Sequence, residues 1–173
     1  ASVQAAHRAG PVARFSGTAA VEGAAAPLGK ALAALFGFPA AQEQLPVRVT
    51  KRHDGKVETW TRQLGRRIMR SRLRKLGPGR VRESFGPFHF DMAVSASAEG
   101  LVMEVVGWKL GLLPLPAFLA PRSRAAETDA GGGRYRFDVP IAAPFLGRLT
   151  HYSGDLGIEE LEVGAASAAR EAP

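Results

Sequence analysis

The stretch VRVTKRHDGKVETWTR, residues 47–62, decides the fold class. Apolar and polar residues alternate from the first valine onward, which is the two-residue period of a β-strand with one buried face. The dipeptide Asp54-Gly55 then favours a tight hairpin turn, and the alternation resumes at Val57. This stretch therefore predicts two antiparallel strands joined by a short turn.

The same pattern continues downstream, because further alternating segments follow one another between turn residues and no helical segment separates them. Strands connected in this way pair antiparallel, since parallel strands need longer crossovers. We therefore expect a mainly β or α+β domain with about eight to nine strands in a strongly curved or barrel-like sheet. The alternating segments are 66–76, 80–85, 88–96, 101–109, 134–139 and 147–156.

One helix is predicted before the sheet. Pro27 suits a first helical turn, and Leu28, Leu32 and Leu35 recur at spacings of four and three residues. A glycine and a proline then end the pattern. We expect an amphipathic helix that packs its leucines on the sheet.

The predicted layout is a single domain over residues 1–163. Residues 110–121 are apolar but hold three prolines, so they cannot form a central strand, and we expect a flap packed across one end of the sheet. The other segments are a loose N-terminal arm over 1–25, the helix over 27–37, the sheet over 46–163 and a disordered tail over 164–173.

Composition excludes several classes of site. The chain of 173 residues has no cysteine, which excludes disulfides, thiol nucleophiles and thiolate-bound metals. The four histidines show no helical metal-binding spacing, and no glycine-rich loop joins a strand to a helix, so we expect no metal and no cofactor. No apolar run is long enough to span a bilayer, and residues 1–30 lack the apolar core of a signal peptide, so we expect a cytoplasmic protein.

The net charge of +7 is concentrated in one segment. Residues 47–82 hold thirteen Lys and Arg against two acidic residues, whereas the rest of the chain is net negative. A solvated edge strand is one interpretation, and contact with an anionic lipid or an acidic protein surface is another. Specific nucleic-acid binding is disfavoured, because no aromatic residues interleave with the arginines. The candidate contacts are Arg66, Arg67, Arg70, Arg72 and Arg74.

An ordered set of short motifs carries a family resemblance over roughly residues 5–160. In this order the motifs resemble the bacterial family called domain of unknown function 4166. The resemblance implies a domain found alone or fused behind saccharopine-dehydrogenase-like proteins, and hence a possible dehydrogenase-like partner; it carries over no catalytic residues. The motifs include Arg14-Phe15-Ser16-Gly17, Trp60-Thr61-Arg62, Arg82-Glu83-Ser84-Phe85-Gly86-Pro87, Arg134-Tyr135-Arg136-Phe137-Asp138-Val139 and His151-Tyr152-Ser153-Gly154-Asp155-Leu156.

A polar set within the apolar sheet interior is the best candidate site. An arginine and a glutamate beside two tryptophans can hold a mostly apolar ligand by one polar end. The alternative is an ordinary core in which Arg62 pairs with Glu83 to satisfy a buried charge. The candidate ligand-binding residues are Trp60, Arg62, Glu83, Phe90, Trp108 and Tyr135.

Three functions follow from this site and from the resemblance. The first is binding of a hydrophobic or amphipathic small molecule in a cavity of the sheet. The second is a cyclase-type or isomerase-type enzyme, in which Glu83 or His89 would be the general acid or base. The third, implied by the resemblance alone, is an accessory domain of a dehydrogenase-like partner.

Overall fold

The computed structural model describes residues 11–162, which form eleven β-strands, one α-helix and one short 3-10 helix. The elements in chain order are β1 (Val12–Gly23), α1 (Pro27–Leu35), β2 (Gln42–His53), β3 (Val57–Leu64), β4 (Arg67–Gly77), β5 (Arg80–Phe85), β6 (Phe88–Ala96), β7 (Gly100–Leu110), β8 (Leu113–Pro114), the 3-10 helix Ala117–Leu119, β9 (Arg122–Gly131), β10 (Arg134–Ala143) and β11 (Gly147–Glu162).

Ten of these described strands close into an antiparallel barrel. Strand β1 pairs with both β2 and β11, and β7 pairs with both β6 and β9, so the sheet has no free edge within the ring. The two-residue strand β8 pairs with β7 outside the ring. The predicted mainly β, curved antiparallel fold is therefore confirmed, but the strand number exceeds the eight to nine expected.

The connections between strands divide into two groups, because neighbouring strands run in opposite directions. One end of the barrel, here called the helix end, carries α1 and the connections 24–41, 65–66, 86–87, 111–121 and 144–146. The opposite end, here called the hairpin end, carries the short turns 54–56, 78–79, 97–99 and 132–133.

Strand β1 corrects the prediction of a loose arm over residues 1–25. Its inward residues are mostly small, so the alternation of apolar and polar residues is weak in this part of the sequence. Its close pairing with β11 nevertheless requires small residues. A Cβ on Gly17 would collide with the carbonyl oxygen of Asp155, and one on Gly154 would collide with that of Thr18. Residues 1–10 and the predicted tail over 164–173 lie outside the described residues.

The helix begins at the predicted Pro27 and ends at Leu35, but it follows a strand and packs differently from the prediction. Its buried residues are Gly29 and Ala33, whereas Leu28 and Leu35 are 63% and 75% exposed. Only small side chains fit this contact, since a Cβ on Gly29 would already approach Ala24 at 3.0 Å. Leu28 and Leu35 are therefore left to solvent, whereas Leu32 is half-buried.

The flap over residues 110–121 lies at the helix end, and several of its apolar side chains are exposed. Leu112 is 99% exposed and Phe118 is 70% exposed. The flap is anchored by the indole Nε1 of Trp108, which donates to the carbonyl oxygen of Pro116 at 3.0 Å. Its prolines limit strand pairing to the two residues of β8, so the segment stays outside the barrel wall.

Candidate functional site

A cavity of about 160 Å³ lies inside the barrel. Its wall is mostly apolar, and aromatic residues from the segment after α1, from β5 and from β6 contribute where it extends toward the helix end. A few polar side chains interrupt this wall. The polar lining residues are Arg62, Glu83, Ser123, Glu127, Tyr135 and Tyr152.

Two of the polar lining residues, Arg62 and Glu83, form a hydrogen-bonded group with Ser71. The guanidinium Nη2 of Arg62 lies 2.9 Å from Oε1 of Glu83, and its Nη1 donates to the hydroxyl oxygen of Ser71 at 2.8 Å. That hydroxyl in turn donates to Oε1 of Glu83 at 2.6 Å. The three side chains thus form a closed hydrogen-bonded set.

The register of three consecutive strands brings this set together. Arg62 lies on β3, Ser71 on β4 and Glu83 on β5, and Met69 and Leu73 stand opposite Arg62 and Glu83 respectively across the ladder. Side chains two residues apart share a face of a strand, so Ser71 lies on the same inward face as its neighbours at 69 and 73. The pairing register of β3, β4 and β5, together with the alternation of side chains along each strand, therefore brings the three side chains together.

The Arg62–Glu83 pair is largely withdrawn from water, with side-chain exposures of 14% and 12%. Burial acts to lower the pKa of Arg62, but the charge of Glu83 and its hydrogen bonding outweigh burial and raise that pKa above its ordinary value. The guanidinium also lies 4.5 Å from the centroid of the Trp60 ring, a cation–π distance. Arg62 is thus held as a cation inside the barrel.

Two tyrosines and a second carboxylate share the cavity. Burial raises the pKa of Tyr152 to about 12, and burial raises the pKa of Tyr135 as well. Both hydroxyls are therefore neutral hydrogen-bonding groups at ordinary pH. Glu127 is buried and lines the same cavity, and its charge acts to raise the pKa of the buried Lys51.

Lys51 is an interior residue that the sequence reasoning missed. Its side chain is on the inward face of β2, 4% exposed, and its Nζ has no hydrogen-bond partner among residues 11–162. The Nζ lies 3.9 Å from the centroid of the Trp60 ring, and burial lowers the pKa of this amine. The two-residue alternation of the sequence does place Lys51 on the buried face, because residue 51 continues the inward series of Val47 and Val49.

Most of the predicted ligand-binding residues meet at this cavity. The structure places Trp60, Arg62, Glu83, Phe90 and Tyr135 along its wall. Trp108 stands opposite Phe90 across the strand pair, but its indole holds the flap instead, outside the cavity lining formed by the described residues. The pairing of Arg62 with Glu83 is present, and it forms part of the cavity wall.

The structure places His89 on the outer face of β6, away from the predicted acid–base position. Its Nδ1 is 2.8 Å from the hydroxyl oxygen of Ser84, and the neighbouring outward residue Asp91 pairs with Arg82 at 2.6 Å. Alternation explains this placement, because Phe90 lines the cavity and its neighbours along the strand must face outward. Of the two catalytic candidates only Glu83 reaches the cavity, and a catalytic role for it stays a prediction.

The arginine-rich segment forms the outer face of β4 and the turn before it. Because β4 pairs with β3 on one side and β5 on the other, the interpretation as an edge strand is wrong. Arg66 and Arg67 lie at the helix end, whereas the others extend along the barrel wall. The exposed members are Arg66, Arg67, Arg70, Arg72 and Arg74.

Two further findings concern the described part of the chain. Residues 11–162 bring no three His, Asp or Glu side chains together in a group that could hold a metal ion. Within the same range, no helix combines the length and apolar character that crossing a membrane demands.

The comparison with family models agrees with the resemblance drawn from the motifs. The model of the domain of unknown function DUF4166 matches residues 1–156, and this match covers the helix, the cavity and nearly all of the barrel strands. No curated protein matches the chain, and no solved structure matches it. On the strength of the family match, the chain belongs to the DUF4166 family.

Proposed function

We propose that this domain binds a small, neutral, amphipathic molecule in the barrel cavity. The observation that carries the proposal is that Arg62 and Glu83, joined to each other and to Ser71 by hydrogen bonds, line a mostly apolar cavity. The ligand's polar end would meet this set, and its apolar part would lie against the aromatic residues toward the helix end. A few convergent polar groups in an apolar cavity are the usual design of a small-molecule site.

The energetics of the ion pair support a binding role. A buried ion pair gives up much of its hydration, and apolar residues of similar volume often stabilise a fold equally well or better. Retaining the pair beside an open cavity therefore favours a use other than stability. Both hydrogen-bonded contacts of Glu83 within residues 11–162 use Oε1, which leaves Oε2 for a ligand donor.

The charges around the cavity select a neutral ligand. Glu83 already balances Arg62. A ligand anion would have to displace this carboxylate or lie close to it, whereas a hydroxyl or carbonyl group can bond to the tyrosine hydroxyls, to the guanidinium or to Oε2 of Glu83. We therefore propose a hydroxyl or carbonyl group as the polar end.

The cavity volume limits the size of the ligand. An apolar cavity of about 150 Å³ is large enough to admit benzene. At about 160 Å³ this cavity fits a single ring or a short branched chain. The proposed ligand class is therefore a one-ring alcohol, phenol or ketone, or an aliphatic molecule of similar volume.

Benzene, phenol and benzoate, which share one ring, test the proposal by saturation-transfer NMR and calorimetry. We expect phenol to bind more tightly than benzene, and benzoate to bind weakest. Ala125→Met would fill the cavity and abolish phenol binding, whereas Ala126→Met, on the outward neighbour, should leave it intact. Equal phenol binding by the two variants, or no binding by the wild-type protein, would overturn the proposal.

A further inference from the structure

We propose that the helix end of the barrel docks on an anionic bilayer surface. This proposal deepens the proposed function, because the cavity lining extends toward the same end of the barrel. The purpose of docking rests on the proposed function, since a docked bilayer would supply the cavity with its ligand. The docking itself is argued from the surface alone.

The longer connections of the barrel differ in polarity from the short ones. The hairpin end has only short turns, built of Gly, Pro, Ala, Ser and charged residues. At the helix end the connections 24–41, 111–121 and 144–146 are rich in Leu, Phe, Ala and Pro, whereas 65–66 and 86–87 are Gly-Arg and Gly-Pro. Successive connections along the chain lie at opposite ends of the barrel, so the apolar connections come together only in the folded structure.

The exposed apolar side chains follow the same division. Of the large hydrophobic residues exposed within residues 11–162, nine lie at the helix end, and they belong to four separate connections or strand starts. Single exposed apolar residues are ordinary, but their convergence on one end marks an interaction surface. The nine are Leu28, Leu35, Ile68, Leu110, Leu112, Leu113, Phe118, Leu119 and Phe145.

Basic side chains accompany the apolar ones. The acidic residues at this end include Glu22 and Glu43, and Glu22 forms an ion pair with Arg148. Apolar side chains flanked by Lys and Arg are the combination that binds the interface of an anionic membrane. The exposed basic residues at the helix end include Lys30, Arg66, Arg67, Arg122 and Arg148.

The arrangement favours a bilayer over an acidic protein. The exposed residues are spread over α1, the β3–β4 connection, the flap and the β10–β11 turn, which lie around the rim of the barrel. A planar bilayer can meet such a rim at several points, whereas a protein partner is usually held by one compact apolar cluster. Leu28 and Leu35, which α1 exposes to solvent, fit this mode of contact.

Docking at this end would bring the bilayer to the cavity. Phe36, Phe85, Pro121 and Leu149 line the cavity and belong to elements at the helix end. Phe36 also lies 5.2 Å from the ring of Phe88, so the residues after α1 reach across this end of the barrel. An apolar ligand dissolved in the bilayer would enter between these elements without crossing water.

Vesicle flotation tests the docking with the whole protein. The probes are vesicles of phosphatidylcholine alone and of phosphatidylcholine mixed with phosphatidylglycerol. We expect binding to the mixed vesicles, falling about tenfold or more in the double variant Leu112→Ser with Phe118→Ser. The matched control is Leu76→Ser, an exposed leucine near the hairpin end, which should bind like the wild-type protein.

Two double variants with reversed charges complete the test. Reversing Arg66 and Arg67 to Glu should weaken binding at least about twenty-five-fold, since each basic residue near an anionic surface strengthens binding about fivefold. Reversing Lys56 and Arg80, at the hairpin end, should change binding much less. Equal losses in both charge variants, or no binding to mixed vesicles, would overturn the docking, as would binding to polyglutamate in place of vesicles.

The two proposals can fail separately. Leu112 and Phe118 do not line the cavity formed by the described residues, so phenol binding should survive in the flotation variant. Phenol binding without vesicle binding overturns the docking alone, and vesicle binding without phenol binding overturns the ligand site alone. A circular-dichroism spectrum and melting temperature like those of the wild-type protein show that each variant is folded.

Discussion

The guanidinium of Arg62 lies 2.9 Å from the carboxylate of Glu83 inside the barrel, and both side chains are more than four-fifths buried. Ser71 bonds to both partners, so each member of the set depends on the others. Removing one charge would leave its partner buried without compensation, and this dependence can be measured.

We predict that Arg62→Met lowers the free energy of unfolding by about 3–5 kcal/mol, because Glu83 is left as an uncompensated buried charge. The double variant Arg62→Met with Glu83→Met should recover most of that loss, since it removes both charges. Urea denaturation measures both values. Arg136→Met, which breaks the exposed pair with Asp155, is the control and should leave the urea midpoint almost unchanged. A double variant no more stable than Arg62→Met would contradict the prediction.

The close pairing of β1 with β11 gives a second prediction. Gly154→Ala should unfold the protein or prevent its accumulation, because the new methyl group would collide with the backbone of Thr18. Gly157→Ala on the same strand is the matched control, since its Cβ would meet nothing closer than 3.8 Å. Thermal denaturation compares the two variants, and similar melting temperatures would show that the two strands are not packed as described.

Lys51 provides a third prediction. Lys51→Met should raise the free energy of unfolding by about 1–3 kcal/mol at neutral pH, because a buried amine with no hydrogen-bond partner among the described residues is replaced by an apolar side chain of similar length. The cation–π contact with Trp60 offsets part of the burial cost, which limits the gain. Lys56→Met, on an exposed lysine, is the control and should change stability little.

The stabilisation by Lys51→Met should depend on pH. Burial lowers the pKa of Lys51 in the folded protein below 10.5, so the unfolded chain binds the extra proton between the lowered value and 10.5. Stability of the wild-type protein therefore rises with pH through that window relative to the variant. The advantage of the variant should shrink toward pH 10, and an advantage that grows with pH would contradict a lowered pKa. The tyrosines titrate in both proteins, so their contribution cancels in the difference.

Much of the barrel could be predicted from alternation, and the rest depended on long-range pairing. The strands from Val47 to Ala96 follow the two-residue period closely, and the same period placed Arg62 and Glu83 on inward faces. Strand β1 was not predicted, because its inward positions hold largely small residues and give a weak alternating pattern. The reason for these small residues is the close pairing with β11 around Gly154, which the local sequence does not show.

The outcomes at His89 and α1 show where local patterns mislead. His89 belongs to the outward set of a strand whose two faces are both partly covered, and alternation alone does not say which set faces the cavity. The leucines of α1 follow helical spacing, yet the close approach at Gly29 selects the small-residue face for burial. In both cases the neighbouring elements decide which face is buried, and the spacing of residues along the chain does not identify those neighbours.

Native mass spectrometry of the protein purified from the organism that encodes it tests the central claim most directly. The wild-type protein should carry an additional small mass, and Ala125→Met purified in parallel should carry none, because the cavity is filled. The same mass on both proteins, or no added mass on repeated wild-type preparations, would contradict a ligand held beside Arg62 and Glu83.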